Sequence, residues 1–148
     1  MSLETKMEKG VVFGVFDLMH VGHVKMFEWA KQHVDYLVVG INSGVNLAPH
    51  KNKPILTPDE RLYLVNACKY VDEAFVFDTE EELHAYQGAH LDYVRFIGDD
   101  HKNSYSGDFL PIEKVMVHDR SHGYSSSSMR ERIAKAEVKR ALFTPTSS

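Results

Sequence analysis

Two histidines near the start of the chain are the first feature that indicates chemistry. His20 and His23 enclose Gly22 and follow the apolar run Val11–Phe16, with Asp17 between the run and the first histidine. The run predicts a buried strand, and we expect a helix to start near Gly22. The free N–H groups and positive dipole end of such a helix bind phosphate, and a glycine lets a ligand approach the backbone closely. The pattern predicts a phosphate site.

A second polar segment, Arg120–Ser128, lies far downstream. It contains a basic residue, a glycine and four consecutive serines, and it precedes a helical pattern. A glycine-containing entry into a helix is again typical of phosphate binding. Two separated elements of this kind in one short chain indicate a nucleoside triphosphate held from both sides.

Each element also has a plainer interpretation. His20 and His23 could ligate a transition metal together with Asp17, or could simply cap the helix. The preceding strand and the glycine favour phosphate. The serines could form a linker or a helix cap, with a capping box between Ser128 and Glu131. Because the serines occur together with the first element, phosphate binding is the favoured interpretation.

The spacing of apolar residues predicts the elements that position these groups. Short β-rich runs alternate with helical stretches, which indicates an α/β fold with a doubly wound, Rossmann-like, parallel five-stranded sheet and helices on both faces. The predicted strands are 11–16, 36–41, 74–77, 94–97 and 115–117, and the predicted helices are 24–33, 58–69, 80–86 and 129–139. Thr57 to Glu60 supplies an N-cap, a first-turn proline and a capping-box glutamate.

Composition limits the class of protein. The chain has 148 residues, 43% of them hydrophobic, which suits one domain. We expect an N-terminal extension at 1–8, the domain at 9–141 and a disordered tail at 142–148. A net charge of −4 argues against a nucleic-acid binder. Cys68 is the single cysteine, and no apolar run is long enough to span a membrane, so we expect a reduced, cytoplasmic enzyme.

Several segments match one family pattern, in chain order: Gly14–His23 as G-x-F-D-x-x-H-x-G-H, Asp35–Gly40 as a second strand, Glu60-Arg61 as E-R, Lys69–Glu73 as R-Y-V-D-E, Gly98–Asp100 as G-D-D and Arg120–Ser127 as R-T-x-G-x-S-T-T. Together they resemble the H-x-G-H nucleotidylyltransferase superfamily, and within it the cytidylyltransferases of the glycerol-3-phosphate, choline-phosphate and ethanolamine-phosphate type. The resemblance extends from about Gly10 to Ile133.

The resemblance implies an enzyme that transfers CMP from CTP to a phosphorylated alcohol, with glycerol-3-phosphate as the first candidate, and releases pyrophosphate. It also implies Mg²⁺ carried by the nucleotide phosphates, with no metal ligand assigned to the protein, and a homodimer. Ethanolamine-phosphate or choline-phosphate is an alternative acceptor. Transfer of AMP, as in FAD, pantetheine-phosphate or sugar-phosphate adenylyltransferases, is an alternative reaction, and a catalytically silent nucleotide-binding regulator is an alternative of another class.

The resemblance also assigns roles to residues. The catalytic set is His20 and His23 as donors to the triphosphate, Arg120 for the outer phosphates, and a loop lysine for the α-phosphate, with Lys51 preferred to Lys53. We expect this loop to be mobile without ligand. The predicted nucleotide-binding residues are Gly14, Val15, Phe16, Asp17, Gly22, Lys53, Lys69, Asp72, Gly98, Asp99, Asp100, Gly123, Tyr124, Ser125, Ser126 and Ser127.

Two departures from the pattern concern the substrates. Lys69 stands where many relatives have arginine and cannot make the same bidentate contact. His101 stands where the glycerol-3-phosphate type often has tryptophan. The phosphate-binding motifs are shared with adenylyltransferases. The expected preference for CTP over ATP therefore depends on the matches at Lys69–Glu73 and Gly98–Asp100.

Overall fold

The computed structural model describes residues 7–120 and 123–143. Five strands form one sheet: β1 (Lys9–Gly14), β2 (Tyr36–Asn42), β3 (Glu73–Phe77), β4 (Val94–Gly98) and β5 (Val115–His118). They pair in parallel in the order β3-β2-β1-β4-β5. The predicted parallel five-stranded α/β sheet is confirmed. The order reverses at β1, so the carboxyl end of β1 lies at the crevice where open α/β sheets bind ligands.

Three helices connect the first four strands: α1 (Val21–Lys31), α2 (Pro58–Ala67) and α3 (Glu80–Ala89). A short 3₁₀ turn at Asp99–His101 lies between β4 and β5, and α4 (Ser126–Phe143) follows β5. The predicted capping box of α2 is present, since Thr57 and Glu60 each accept a hydrogen bond from the other's backbone N–H. In the described part of the chain, no helix combines the length and apolar character that crossing a bilayer requires.

The sheet is covered on both faces. Val12 packs in the main core with Phe27 of α1. Its neighbour Phe13 contacts the ring of Tyr86 on α3, with the ring centroids 6.1 Å apart. Because successive side chains of a strand point to opposite faces, α1 and α3 cover opposite sides of the sheet.

Some predicted boundaries were wrong. The first strand ends at Gly14, because Phe16 adopts a φ of 53° and leaves the extended conformation. Helix α1 begins at the residue after His20, which confirms the expected start near Gly22 and lies three residues before the helical run 24–33. Helix α4 continues through Phe143, two residues into the predicted tail. Residues 1–6 of the predicted extension and 144–148 of the tail lie outside the described residues.

Candidate active site

His20 is the N-cap of α1. Its Nδ1 accepts a hydrogen bond of 3.0 Å from the N–H of Gly22, and Nδ1 of His23 accepts one of 3.2 Å from the N–H of His20. The two imidazole rings stack with centroids 4.0 Å apart. Because both Nδ1 atoms accept, each ring in its neutral form carries its proton on Nε2. His23 lines the cavity described below, whereas Nε2 of His20 is buried and His20 is not part of the lining. Direct phosphate contact by His20 therefore stays a prediction.

His23 is a neutral donor near pH 7. Burial is the main cause that lowers the pKa of His23, nearby His20 and Arg120 lower it too, and Asp17 opposes them; together they bring it to about 3. A neutral imidazole donates through Nε2–H without charge. Attraction for a polyanion must therefore come from the helix dipole and from the arginine and lysine side chains.

Gly22 lines the cavity, and the structure adds a packing reason for a glycine at this position. A β-carbon there would lie 2.8 Å from the His20 ring, 2.9 Å from Cβ of Tyr124 and 3.0 Å from the carbonyl oxygen of Tyr124. The space that a side chain would fill is occupied by the segment before α4 and not left open for a ligand. The glycine therefore lets the two predicted phosphate elements pack against each other.

Asp17 connects three parts of the site. Its carboxylate accepts hydrogen bonds from the backbone N–H groups of Ile55 at 2.8 Å and Leu56 at 2.9 Å, and from the guanidinium of Arg130 at 2.9 Å. The Asp17 side chain is 5% exposed. Asp17 lies at the cavity, as predicted. Its contacts make it a positioning residue for α4 and for the loop 43–57 between β2 and α2, which we call the Lys51 loop.

Arg61 is a functional position that the sequence analysis left without a role. It is fully buried and donates to the backbone carbonyls of Val15 at 2.9 Å, Asn42 at 2.5 Å, Ser43 at 2.6 Å and Leu56 at 3.2 Å. These carbonyls belong to the last residue of β2, to the loops that follow β1 and β2, and to the end of the Lys51 loop. The match of Glu60-Arg61 to the family pattern was the signal that could have identified it.

The structure separates the two candidate loop lysines. Lys51 lines the cavity, whereas Lys53 does not, and the backbone carbonyl of Lys53 accepts a hydrogen bond of 3.3 Å from Arg130. Both side chains are exposed. The loop is fastened at both ends, by Asn46 to the carbonyl of Asp78 and by Asp17 to residues 55 and 56. Any movement is therefore expected in the part around Lys51.

The side chain of Arg120 packs against Gly98 at the carboxyl end of β4. A β-carbon at Gly98 would lie 2.7 Å from Cδ of Arg120. The Arg120 guanidinium donates to both carboxylate oxygens of Asp100 at 3.2 and 3.3 Å, and its backbone N–H donates to Asp99 at 3.2 Å. Arg120 lines the cavity, whereas the two aspartates do not. Asp99 and Asp100 thus hold Arg120, and direct nucleotide contact by them stays a prediction.

The N-terminus of α4 is capped by Ser125. Ser125 and Ser128 each accept a hydrogen bond from the other's backbone N–H, at 3.0 and 3.2 Å. The capping pair therefore differs from Ser128 and Glu131, the pair considered in the plainer interpretation of the serines. Ser127 lines the cavity. Gly123 has a φ of +79°, which glycine adopts without strain, and permits the turn into the helix. Ser121, His122 and the side chain of Ser126 lie outside the described structure.

One cavity of about 780 Å³ at the carboxyl edge of the sheet brings most of these groups together. That volume is typical of small-molecule sites. Its lining includes many of the predicted site residues: Gly14, Val15, Phe16, Asp17, Gly22, His23, Lys51, Gly98, Arg120 and Ser127. It also includes Arg95 and Arg130, which the sequence analysis missed. Arg130 follows the serines by about one helical turn, so helical spacing could have identified it.

Lys69 and Asp72 were predicted to bind the nucleotide, but they do not line the cavity and instead make contacts within the fold. Asp72 accepts a hydrogen bond of 2.8 Å from the N–H of Leu37, at the start of β2, and also pairs with Lys31. Lys69 places its ammonium over the ring of Tyr70. Residues that precede a strand lie at the amino edge of a parallel sheet, whereas the cavity lies at the carboxyl edge. Neither residue can reach the cavity of its own chain.

Comparison with known proteins finds relatives along almost the whole chain. A family model described as cytidylyltransferase-like matches residues 11–132. The glycerol-3-phosphate cytidylyltransferase of Bacillus subtilis is 33% identical over 129 residues, which cover 86% of this chain and 98% of that protein. The FAD synthase of Ferroglobus placidus is 39% identical over 142 residues, which cover 90% of this chain and 76% of that protein.

Solved structures share the fold. A lipopolysaccharide core biosynthesis protein from Thermoplasma volcanium superposes with a TM-score of 0.59 at 21% identity, over 89% of this chain and 90% of that one. At this identity the likeness concerns the fold alone.

Proposed function

Because this chain belongs to the cytidylyltransferase-like family, we propose that it transfers CMP from CTP to a phosphorylated alcohol and releases pyrophosphate. The observation that carries the proposal is the single cavity that gathers His23, Lys51, Arg120 and the start of α4. These are the donors and cations that a triphosphate needs, and they come from both ends of the chain.

The reaction needs no protein nucleophile. A phosphate oxygen of the acceptor attacks the α-phosphorus of CTP, and the bond from that phosphorus to the bridging oxygen of the β-phosphate breaks. Pyrophosphate leaves with the electron pair. The acceptor is already an anion at neutral pH, so catalysis consists of alignment and charge stabilisation.

Each group has a proposed place along the triphosphate. His20 and His23 donate from Nε2 beside the N-terminus of α1, Lys51 neutralises the α-phosphate, and Arg120 with the first turn of α4 holds the outer phosphates. Asp17 and Arg61 fix the loops that carry these groups. Removal of one such donor is expected to cost about 2.7–4 kcal/mol in transition-state stabilisation.

Mg²⁺ is proposed to enter with CTP. When bound with the nucleotide, it would supply positive charge against the negative charge of the phosphates. The phosphate end of the cavity offers mainly N–H donors and cations, and its carboxylate Asp17 is shared by three protein donors. This donor set suits a metal coordinated chiefly by the nucleotide.

Glycerol-3-phosphate is the first acceptor to test, because the relative from Bacillus subtilis bears that name and aligns along almost its whole length. Ethanolamine-phosphate and choline-phosphate are the alternative acceptors. We also propose a homodimer, which the family resemblance implies and which light scattering during gel filtration can test.

Transfer of AMP from ATP is the second candidate function. It is favoured by the similarity to an FAD synthase, which covers 90% of this chain. The H-x-G-H element binds a triphosphate whichever base is attached, so it does not separate the two reactions.

Pyrophosphate release from a matrix of substrates tests the proposal. Purified protein with Mg²⁺ is mixed with each of four nucleoside triphosphates and each member of a panel of phosphorylated alcohols. We expect release with CTP only when a phosphorylated alcohol is present. Release with ATP alone among the nucleotides would replace the proposal by the second candidate, and no release in any mixture would support a nucleotide-binding regulator.

A further inference from the structure

Arg95 lines the active-site cavity and lies three residues before Gly98 on β4, away from the carboxyl edge. It belongs to β4, on the sheet face covered by α3, and only 4% of its surface is exposed. Its guanidinium lies between two aromatic rings, 4.7 Å from the centroid of Phe13 and 5.0 Å from that of Tyr105. The ring pair holds the guanidinium plane in one place, and the residue lines the same cavity as His23 and Arg120.

The hydrogen bonds of Arg95 are incomplete. One terminal nitrogen donates to the carbonyl of Ser106 at 2.8 Å and approaches Oε1 of Gln87 at 3.5 Å. The buried Nε has no hydrogen-bond partner among the described residues. Within 7–120 and 123–143, no Asp or Glu forms an ion pair with Arg95. Burial lowers the pKa of Arg95 to about 10, against the effects of Tyr105 and Asp108, so the side chain is still charged at pH 7.

A buried guanidinium in this state is expected to have a ligand. An unpaired buried charge and an unsatisfied buried donor both destabilise a protein, and native structures rarely keep them without a function. Oxygen atoms of a bound molecule would accept from the unused N–H groups. A positively charged group would be repelled.

The shape of the cavity indicates which molecule that is. His23, Lys51 and Arg120 lie at the carboxyl edge and define its phosphate end. Arg95 precedes Gly98 on β4, so it lies further from that edge, and with His84 and the segment 104–109 it lines what we call the inner end. An acceptor whose phosphate meets the α-phosphorus of CTP has its remaining atoms free to extend inward.

We propose that Arg95 binds the distal end of the acceptor and selects acceptors that present oxygen atoms there, as hydroxyl or carboxylate groups. Ammonium groups are excluded for two reasons. The guanidinium repels them, and it occupies the space between Phe13 and Tyr105 that could otherwise hold a quaternary ammonium. This inference rests on the proposed function and narrows its acceptor to polyol or acidic phosphomonoesters.

Steady-state kinetics of Arg95→Gln test the proposal. With CTP saturating, we expect wild-type protein to prefer glycerol-3-phosphate or 3-phosphoglycerate to phosphoethanolamine by about tenfold or more, the effect of one charged hydrogen bond. Arg95→Gln should raise the KM for the first two by a similar factor, leave the KM for CTP within about twofold and weaken the discrimination against phosphoethanolamine. The exposed Arg132→Gln is the matched control, expected to behave as wild type.

Other outcomes overturn the proposal. A higher KM for CTP with an unchanged KM for acceptors would place Arg95 at the nucleotide. An equal loss with all acceptors, together with a lower melting temperature, would make it a packing residue. A wild-type preference for phosphoethanolamine would contradict it directly. If Arg95→Gln does not fold, the same kinetic constants are measured for Arg95→Lys, because lysine keeps the positive charge but has fewer hydrogen-bond donors.

The failure of the proposed function is a separate result. If wild-type protein releases no pyrophosphate from any mixture, titration calorimetry with glycerol-3-phosphate replaces the kinetics. Binding that Arg95→Gln weakens about tenfold would support the anion subsite. Equal binding by both proteins, or none by either, would reject it.

Discussion

The carboxylate of Asp17 accepts a hydrogen bond of 2.9 Å from the guanidinium of Arg130, although 113 positions separate the two residues. Asp17 follows the first strand and Arg130 lies in the last helix. The pair therefore closes the site by joining the two ends of the domain, and the same carboxylate holds residues 55 and 56.

Breaking this pair is expected to destabilise the domain. Asp17→Asn should lower the free energy of unfolding by about 1.5–3 kcal/mol, because charged hydrogen bonds to a nearly buried carboxylate are lost. A double-mutant cycle with Arg130→Gln measures the coupling by denaturant unfolding. We expect the double variant to lose clearly less than the sum of the single losses, and strict additivity would show that the two side chains do not interact.

Gly22→Ala tests the contact between the two phosphate elements. The new methyl group would overlap the backbone of Tyr124, so we expect a loss of about 1–3 kcal/mol in unfolding free energy and weaker CTP binding. Gly88→Ala on α3 is the matched control, because a β-carbon there meets no atom within 4 Å. It should gain roughly 0.5–1 kcal/mol, since alanine favours a helix. If Gly22→Ala and Gly88→Ala had similar unfolding free energies and similar CTP binding, Gly22 would have no packing role.

Stability should depend on pH through His23. Its pKa is lowered to about 3 in the folded state from an ordinary 6.5, so the unfolded chain binds the extra proton between these values. The contribution is fully present above pH 6.5 and decreases as pH falls, by at most about 1.4 kcal/mol per unit. Denaturant unfolding at pH 7 and pH 5 should show a smaller difference for His23→Asn than for wild type. Equal differences would contradict the buried neutral state.

Lys51→Ala should lower kcat by about a hundredfold or more and change the KM for CTP little, because its contact strengthens as charge develops in the transition state. Lys53→Ala is the control, since Lys53 does not line the cavity. Initial rates over a range of CTP concentrations measure both constants. A crippling effect of Lys53→Ala alone would move the role to that residue.

Local patterns predicted the sheet, the cap of α2 and the glycine-containing turn, because each depends on residues close in sequence. The role of Gly22 could not be predicted in this way, since the atoms that require a glycine belong to Tyr124 at the other end of the domain. The same holds for Arg95, whose aromatic neighbours come from β1 and from the segment after β4. Charged residues in the strand and helix patterns gave no sign that their side chains turn inward.

The topology of the sheet determines the positions of Lys69 and Asp72. A segment between a helix and the following strand lies at the amino edge of a parallel sheet, opposite the ligand crevice. The family match identified the motif but carried no information about this edge.

Identification of the product tests the central claim most directly. CTP and glycerol-3-phosphate are incubated with the protein and Mg²⁺, with ATP in place of CTP as the parallel reaction, and phosphorus NMR and mass spectrometry follow the phosphates. The account predicts CDP-glycerol and pyrophosphate in equal amounts from CTP, with a higher kcat/KM than ATP gives. An AMP-linked product from ATP at an equal or higher kcat/KM, or hydrolysis of CTP without a CDP-linked product, would contradict it.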